Sequence, residues 1–556
     1  MKHFLSYVDE SIKANWNSPA LSNYGANTFT YGEVASGIER MHLLFEECGI
    51  KKGDKIAICS RNSAEWCIAY FAIVTYDAVC VPLLADFLPQ NIADLTHISD
   101  SRLLMVDDSI YGGLKRDNIL PQFEGFADFC GLVALADLKV LVDCNDKLTD
   151  INEKVDAAFA KRFPNGVAPE HINYKKDDFD ATSVISYTSG TSSSPKGVML
   201  SARSISSNVQ FARDHIPAET NDKLLSILPL AHIFGQIFDF VYPLTCGCHV
   251  NIFTEKPIPA RLLKALADVK PFMFLTVPLL IEKIFRAKVM PTLQKPVMKV
   301  LLAIPGLNSV IYKKVRSTLV STFGGNIEKG GIILGGAALN KEVEKVMKKV
   351  KLPYCVGYGM TECGPLISYR DKAEFVKYSC GTLAHPIELR IDSANPRRVL
   401  GEIQVKGDAV MLGYYNNEEA TKATFTKDGW LGTGDMGILD GKDNLFIKGR
   451  CKNMILTGSG QNIYPEEIED KINNLPYVVE SLVVGRKNAI VALVVADYEA
   501  GKKDGMSEEE LNKLIDANVL ALNSELAAYS KIGYTEIRRE QFEKTPKQSI
   551  RRFMYS

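Results

Sequence analysis

The densest chemistry in the chain lies in the run Ile185-Ser-Tyr-Thr-Ser-Gly-Thr-Ser-Ser-Ser-Pro-Lys-Gly-Val198. Six of the seven residues from Thr188 to Ser194 carry a hydroxyl, and Lys196 follows with a positive charge. Hydroxyls and glycine amides donate hydrogen bonds without bulk, and a lysine adds charge, which together is what a polyphosphate cradle needs. A solvated Ser/Gly surface loop has the same composition, so composition alone leaves both readings open. A Walker A loop places Gly-Lys-Ser/Thr at the start of a helix. Here Lys196 precedes Gly197, and apolar Val198, Met199 and Leu200 follow, which argues against a P-loop NTPase.

Further segments hold isolated polar groups and glycines. Asp435, in Thr433-Gly-Asp435, offers two carboxylate oxygens that can accept from two hydroxyls. Arg450, in Gly449-Arg-Cys-Lys452, adds a donor. Glu362, in Tyr358-Gly-Met-Thr-Glu362, is an oxygen ligand of the kind a hard cation takes. Gly335-Gly-Ala-Ala-Leu339 allows close backbone approach by a neighbouring group. Taken singly, each has an ordinary reading: a solvated acid, a turn, a packing glycine. His232, in Leu228-Pro-Leu-Ala-His-Ile-Phe-Gly235, sits in an apolar segment where a histidine is more often a satisfied core residue.

Taken together in chain order and spacing, with Thr433–Asp435 and Gly449–Lys452 counted as one, the five motifs resemble the acyl- and aryl-adenylating enzymes: acyl-CoA synthetases, luciferases and the adenylation domains of peptide synthetases. The resemblance covers roughly residues 25–555. It implies attack of a carboxylate on the α-phosphate of ATP, giving an acyl adenylate and pyrophosphate, and then attack of a thiol on the adenylate. It implies an ATP site made by Thr188, Ser189, Gly190, Thr191, Ser192 and Lys196 at the β- and γ-phosphates, and by Gly335, Gly336, Ala337, Tyr358 and Gly359 at adenine. Asp435 belongs to the ribose, Arg450 to the ribose or the α-phosphate, Thr361 to the α-phosphate, and Glu362 to Mg2+. An acyl pocket beside His232, Ile233, Phe234 and Gly235, a hinge at Lys452 and a coenzyme A contact at Gly460 complete the set. The cofactors and substrates so implied are ATP, Mg2+ and coenzyme A.

One departure bears on the first half-reaction. The family ends in T-x-T-G-K-I-x-R, whose lysine neutralises charge during adenylation; here the line is Lys544-Thr-Pro-Lys-Gln-Ser-Ile-Arg-Arg552. Aligning on Ile550 and Arg552 puts Ser549 at the lysine's place. Lys547 lies two residues earlier, on the same face of an extended segment, and is expected to take the catalytic role beside Thr361 and Glu362.

These groups must be held by something. The run 30–50 places Val34, Ile38, Met41, Leu44 and Phe45 on one helical face, and KKGDKIAICS (51–60), NSAEWCIAYFAIVTYDA (62–78) and VCVPLL (79–84) read as turn and strand, helix, and strand. Such alternation predicts a parallel sheet with helices on both faces. Short strands with Gly/Asp turns over 400–450 predict a small β-rich subdomain, and Pro465 and Ser507 open two helices of a separate α+β unit. The expected fold is therefore α/β: a large N-terminal domain (1–449) of parallel and mixed sheets with a β-rich subdomain, then a small mobile α+β domain (450–556).

The chain's 556 residues carry 65 Lys and Arg against 66 Asp and Glu, a net charge of −1. That balance argues against a charge-driven nucleic-acid partner. The twelve cysteines show no CxxC pair, and the N-terminus has no long apolar stretch, so a cytoplasmic location is expected. The stretch Leu224–Thr254 is interrupted by Pro229, Asp239 and Pro243 and reads as buried strands and helices. Leu279–Phe323, with Lys and Arg among Leu, Ile and Val, reads first as a packed, polar-faced helix pair and second as an element lying on the inner face of a membrane. Apolar pocket segments favour a medium- to long-chain fatty acid with coenzyme A as acceptor. An acyl carrier protein as acceptor, or a nucleotide- and acyl-binding pseudo-enzyme that lacks the usual lysine, are the alternatives.

Overall fold

The computed structural model describes residues 1–188, 195–255, 258–384, 386–456, 462–486, 489–544 and 550–555. Among them, an eight-stranded mixed sheet forms the centre of the first half. Its middle strands Thr182–Thr188, Val79–Leu83, Lys55–Cys59, Ser101–Val106 and Gly131–Ala134 run parallel. Lys196–Ser201 and Gly413–Tyr414 extend one edge antiparallel, so residues distant in sequence meet at the phosphate-loop strands.

The helix Tyr31–Glu47 shows why these elements form where they do. Thr30 caps its first turn, and Glu33 reaches back to the Thr30 backbone, a reciprocal pair that satisfies free N–H groups. Val34, Ile38, Met41, Leu44 and Phe45 are all buried. They pack toward the helix Ala64–Thr75, whose residues are buried all round.

A second, parallel three-stranded sheet (Met273–Thr276, Gly331–Leu334, Tyr354–Val356) sets Leu275 opposite Ile333 and Ile333 opposite Cys355. A four-stranded antiparallel sheet (Glu388–Asp392, Gly401–Lys406, Leu431–Leu439, Leu445–Arg450) carries Asp435 and Arg450. Beyond it, strands Val478–Arg486, Ala489–Ala496 and Ile532–Arg538 pack on helices Pro465–Ile472 and Glu508–Ala521 around apolar clusters drawn only from residue 455 onward. All twelve cysteines are free thiols.

Within Leu279–Phe323, expected as a packed helix pair, the helices Pro296–Ala303 and Leu307–Thr322 do pack side by side, but the pair is shallowly covered. The helix Pro296–Ala303 buries none of its residues, and Leu307–Thr322 buries only Leu319 and Val320. A helical period records which residues share a face; it cannot record whether anything covers that face. No helix among the described residues is long and apolar enough to cross a membrane.

Candidate active site

The ends of the hydroxyl-rich loop are fixed by the sheet. Thr188 pairs with Lys196 across two antiparallel strands, and the Thr188 hydroxyl donates to the Lys196 carbonyl at 3.5 Å. Ser189, Gly190, Thr191 and Ser192 lie outside the described residues. Lys196 Nζ sits 4.8 Å from the centre of the Tyr414 ring. The Tyr414 hydroxyl in turn donates to Glu362 Oε1 at 2.9 Å. One tyrosine thus joins the loop's lysine to the acid of the Tyr358–Glu362 motif. Burial, and then the Glu362 charge, raise the Tyr414 hydroxyl pKa, so it stays a donor. Sequence reading missed Tyr414; its signal is the register of Gly413–Tyr414 on Met199 and Val198, which no local pattern reveals.

Asp435 and Arg450 are direct neighbours across antiparallel strands. Asp435 Oδ1 lies 3.0 Å from Arg450 Nε, and Oδ2 accepts from the Tyr358 hydroxyl at 2.7 Å. Burial pushes the Asp435 carboxyl pKa up, against the pull of Arg450 and then of the Tyr358 hydrogen bond. Three residues from three motifs therefore meet in one cluster.

Thr361, only 6% exposed, and Glu362 lie on the short turn Thr361–Cys363. The turn after strand Gly331–Leu334 needs its glycines. Gly336 has φ +84°, and a Cβ on Gly335 would sit 2.9 Å from the Phe234 ring. Gly336 and Ala337 are exposed at the rim.

A cavity enclosing about 620 Å³ of space free of protein atoms, mouth included, connects these motifs. Gly335, Gly336 and Tyr358 to Thr361 line one part of it. Phe211, Phe234, Phe238, Leu275, Ile333 and Leu366 line much of the rest, and its described lining contains no Lys, Arg, Asp or Glu. Of the segment expected at the acyl pocket, His232 and Phe234 line the cavity. Ile233 and Gly235 do not; both are buried in packing, and a Cβ on Gly235 would meet the Pro229 carbonyl at 2.6 Å. His232 Nδ1 accepts from the Phe234 N–H at 3.3 Å and caps the short helix Ile233–Gly235.

Asp239 anchors the helical segment that carries Phe234 and Phe238. It is fully buried, and its Oδ2 accepts from the Ser226 hydroxyl at 3.4 Å and from the Ile227 and Leu228 N–H groups at 3.2 Å. Burial pushes its pKa up to about 7, although the Leu228 and Ile227 bonds pull it down. Between about pH 4 and that value the folded chain holds a proton that the unfolded chain has released. Stability from this group is full at low pH and is lost as pH rises, at up to about 1.4 kcal/mol per pH unit. Asp239→Asn keeps an acceptor and removes the linkage. The stability difference, variant minus wild type, is expected to climb from pH 4 to 7 and then stay level. Urea unfolding followed by tryptophan fluorescence checks it, and a difference independent of pH contradicts it.

The C-terminal unit reaches this region through helix Pro465–Ile472. Asn453 donates to Glu466 at 2.6 Å, Lys448 pairs with Glu467 at 3.2 Å, and Lys341 pairs with Asp470 at 3.1 Å. Lys452 is exposed on the turn Cys451–Asn453. Arg552 binds Glu469, and Lys544 binds Glu480 at 2.7 Å. Lys547, Ser549 and Gly460 lie outside the described residues.

A divalent cation fits the Glu362 corner in part. The carboxylate is half-buried, and its Oε2 meets no donor among the described residues. No group of three or more His, Cys, Asp or Glu among those residues could cage an ion. Phosphate oxygens and water must complete an oxygen shell, as is usual for Mg2+.

The AMP-binding enzyme model matches residues 8–415, and the model of the AMP-binding enzyme C-terminal domain matches 452–555. A 4-coumarate–CoA ligase of Humulus lupulus is 27% identical over 534 residues, covering 93% of this chain and 88% of its own. A long-chain-fatty-acid–CoA ligase of Drosophila melanogaster is 26% identical over 541 residues, covering 91% and 77%. Among solved structures, ATP-bound MatB from Rhodopseudomonas palustris superposes with a TM-score of 0.77 at 23% identity, covering 100% of this chain and 98% of that one, which shows a shared fold. With a large α/β domain of mixed sheets, a smaller C-terminal domain and both family models matched in order, the chain belongs to the AMP-binding enzyme family.

Proposed function

We propose that this protein is an acid–thiol ligase that activates a medium- to long-chain fatty acid with ATP and transfers the acyl group to coenzyme A. The observation that carries the reading is the single cavity lined at one part by Tyr358–Thr361 and elsewhere by apolar side chains. With no Lys, Arg, Asp or Glu in its described lining, it suits an acid with one carboxylate and an apolar tail better than a diacid.

In the first step a substrate carboxylate oxygen bonds to the α-phosphorus while the bridging α–β P–O bond breaks, and pyrophosphate leaves with the electron pair. The Thr361 hydroxyl stands at the cavity wall to donate to the α-phosphate, and Lys196 offers charge to the β- and γ-phosphates. Mg2+ held by Glu362 would supply positive charge to the polyphosphate. In the second step the thiol sulfur bonds to the acyl carbon, the acyl–phosphate C–O bond breaks, AMP leaves and the thiol proton is released. Gly460 and a hinge at Lys452, between domains 1–449 and 450–556, are proposed to serve that step.

A substrate panel with ATP and coenzyme A tests the reading. C8–C18 acids are expected to exceed benzoates and coumarate in acyl-CoA formed; the reverse order would overturn the pocket assignment. A carrier protein replacing coenzyme A as the better acceptor would overturn the acceptor assignment, and absence of acid-dependent pyrophosphate release would favour the pseudo-enzyme.

Lys547 is proposed as the cation of the first step. Lys547→Ala is expected to slow acid-dependent ATP–pyrophosphate exchange about 10- to 100-fold, the worth of one hydrogen bond to a charged group. Unchanged exchange would remove Lys547 from the mechanism.

A further inference from the structure

Outside the cavity, the most unusual surface is the one formed by Lys283–Arg316. Between residues 283 and 327 the sequence has eight Lys and Arg and no Asp or Glu, in a chain of net charge −1. The same segment exposes Val297 (72%), Val300 (65%), Val310 (64%) and Ile304 (45%). The helix Pro296–Ala303 packs beside Leu307–Thr322 yet buries none of its own residues. Two of the cations are engaged: Arg286 donates to the Asn473 carbonyl and to Asn474, and Arg316 pairs with Glu328 at 2.7 Å. Lys288, Lys295, Lys299, Lys313 and Lys314 are exposed and form no ion pair among the described residues.

We propose that this face docks on an anionic lipid bilayer, with Val297, Val300, Ile304 and Val310 entering the headgroup–acyl boundary and the lysines meeting the lipid phosphates. Exposed aliphatic side chains interleaved with lysines are the pattern of interfacial membrane segments. A protein partner is the poorer fit. The cores of protein interfaces favour Tyr, Trp, Met and Arg and are depleted in Lys, whereas this patch is rich in exposed lysines, has no tryptophan and keeps Tyr312 half-buried. A second copy would set one cationic face against another.

The face also runs on to the cavity. Leu275 lines the cavity, and its strand ends at Thr276. Val277, 40% exposed, then lies 4.0 Å from where a Cβ on the cavity residue Gly336 would be. Leu279, 49% exposed, follows on helix Pro278–Ile284, which leads into the patch. An acid dissolved in a membrane therefore has an apolar strip to follow toward Thr361. Docking itself does not depend on the ligase reading; only its use for substrate delivery rests on it.

The test is flotation of the full-length protein with phosphatidylcholine vesicles, with and without about 30% phosphatidylserine. Binding to the anionic vesicles, weakened by about 0.5 M NaCl, is expected. Lys295→Ala with Lys299→Ala should lower the partition coefficient about 30-fold, from the usual worth of a lysine near such a surface. Val297→Ser with Val300→Ser should lower it about tenfold or more. None of these four side chains is buried, so the melting temperature should not move. Absence of flotation, or flotation indifferent to both pairs, would falsify the proposal. So would a dimer that the valine pair dissociates, or loss of binding to an acidic carrier protein in place of vesicles. Flotation is read without catalysis, so an inactive ligase leaves the result intact.

Discussion

Asp435→Ala is expected to raise the KM for ATP and to lower kcat/KM for ATP by about 10²–10⁴. The estimate follows from the loss of two hydrogen bonds to a charged acceptor, each worth about 1.5–3 kcal/mol. Asp435 is 5% exposed and already holds Tyr358 on Oδ2 and Arg450 on Oδ1. A carboxylate has about four lone-pair sites, so two ribose hydroxyls can be accepted without evicting either neighbour. Alanine removes all of these at once and strands the Tyr358 hydroxyl, which adds about 1–3 kcal/mol of lost stability. Arg450 is largely exposed and can turn to solvent. Asp435→Asn keeps one acceptor but points an amide at a donor, and should fall between the two. Steady-state kinetics with varied ATP, alongside thermal melts, separate the effects. An ATP KM unchanged in a folded Asp435→Ala protein removes this residue from the nucleotide site.

What local pattern encodes, the sequence reveals. The helix Tyr31–Glu47 is legible because its cap, its Glu33 and its buried stripe all lie within one turn or one period of each other. The hydroxyl run ending at Lys196 is legible because its chemistry is continuous along the chain. The pairing of Asp435 with Arg450 is half legible: both residues stand out, but their adjacency across fifteen positions comes from the ladder between two strands. Tyr414 is illegible, since its importance comes from an edge strand placed beside Val198 by the whole sheet. The cavity wall is likewise a product of register. Leu275, Ile333 and Tyr369 are ordinary strand residues until three strands bring them round one space. The segment Leu279–Phe323 is half legible for the opposite reason: its helices and their pairing follow from a clear pattern, but how far their apolar face is covered is a fact about the rest of the molecule.

Glu362→Gln tests the other end of the site and should act on kcat. Gln keeps the volume and an oxygen that can accept from Tyr414, so the tie through Tyr414 to Lys196 survives. What disappears is a full negative charge, and with it the preference for a hard dication over water. Acid-dependent ATP–pyrophosphate exchange is expected to fall about 10²–10³-fold, the range for removing one group that stabilises developing charge. The KM for the acid should move little, because the carboxylate is not among the residues that line the cavity. Raising Mg2+ should recover part of the loss, and Glu362→Asp, which keeps the charge on a shorter arm, should need less Mg2+ than Glu362→Gln. Tyr414→Phe leaves the carboxylate in place and should cost only a few-fold, about one ordinary hydrogen bond. If the two variants proved equal, the work of this corner would lie in Tyr414 positioning Lys196, and the metal would have to be sought on another oxygen.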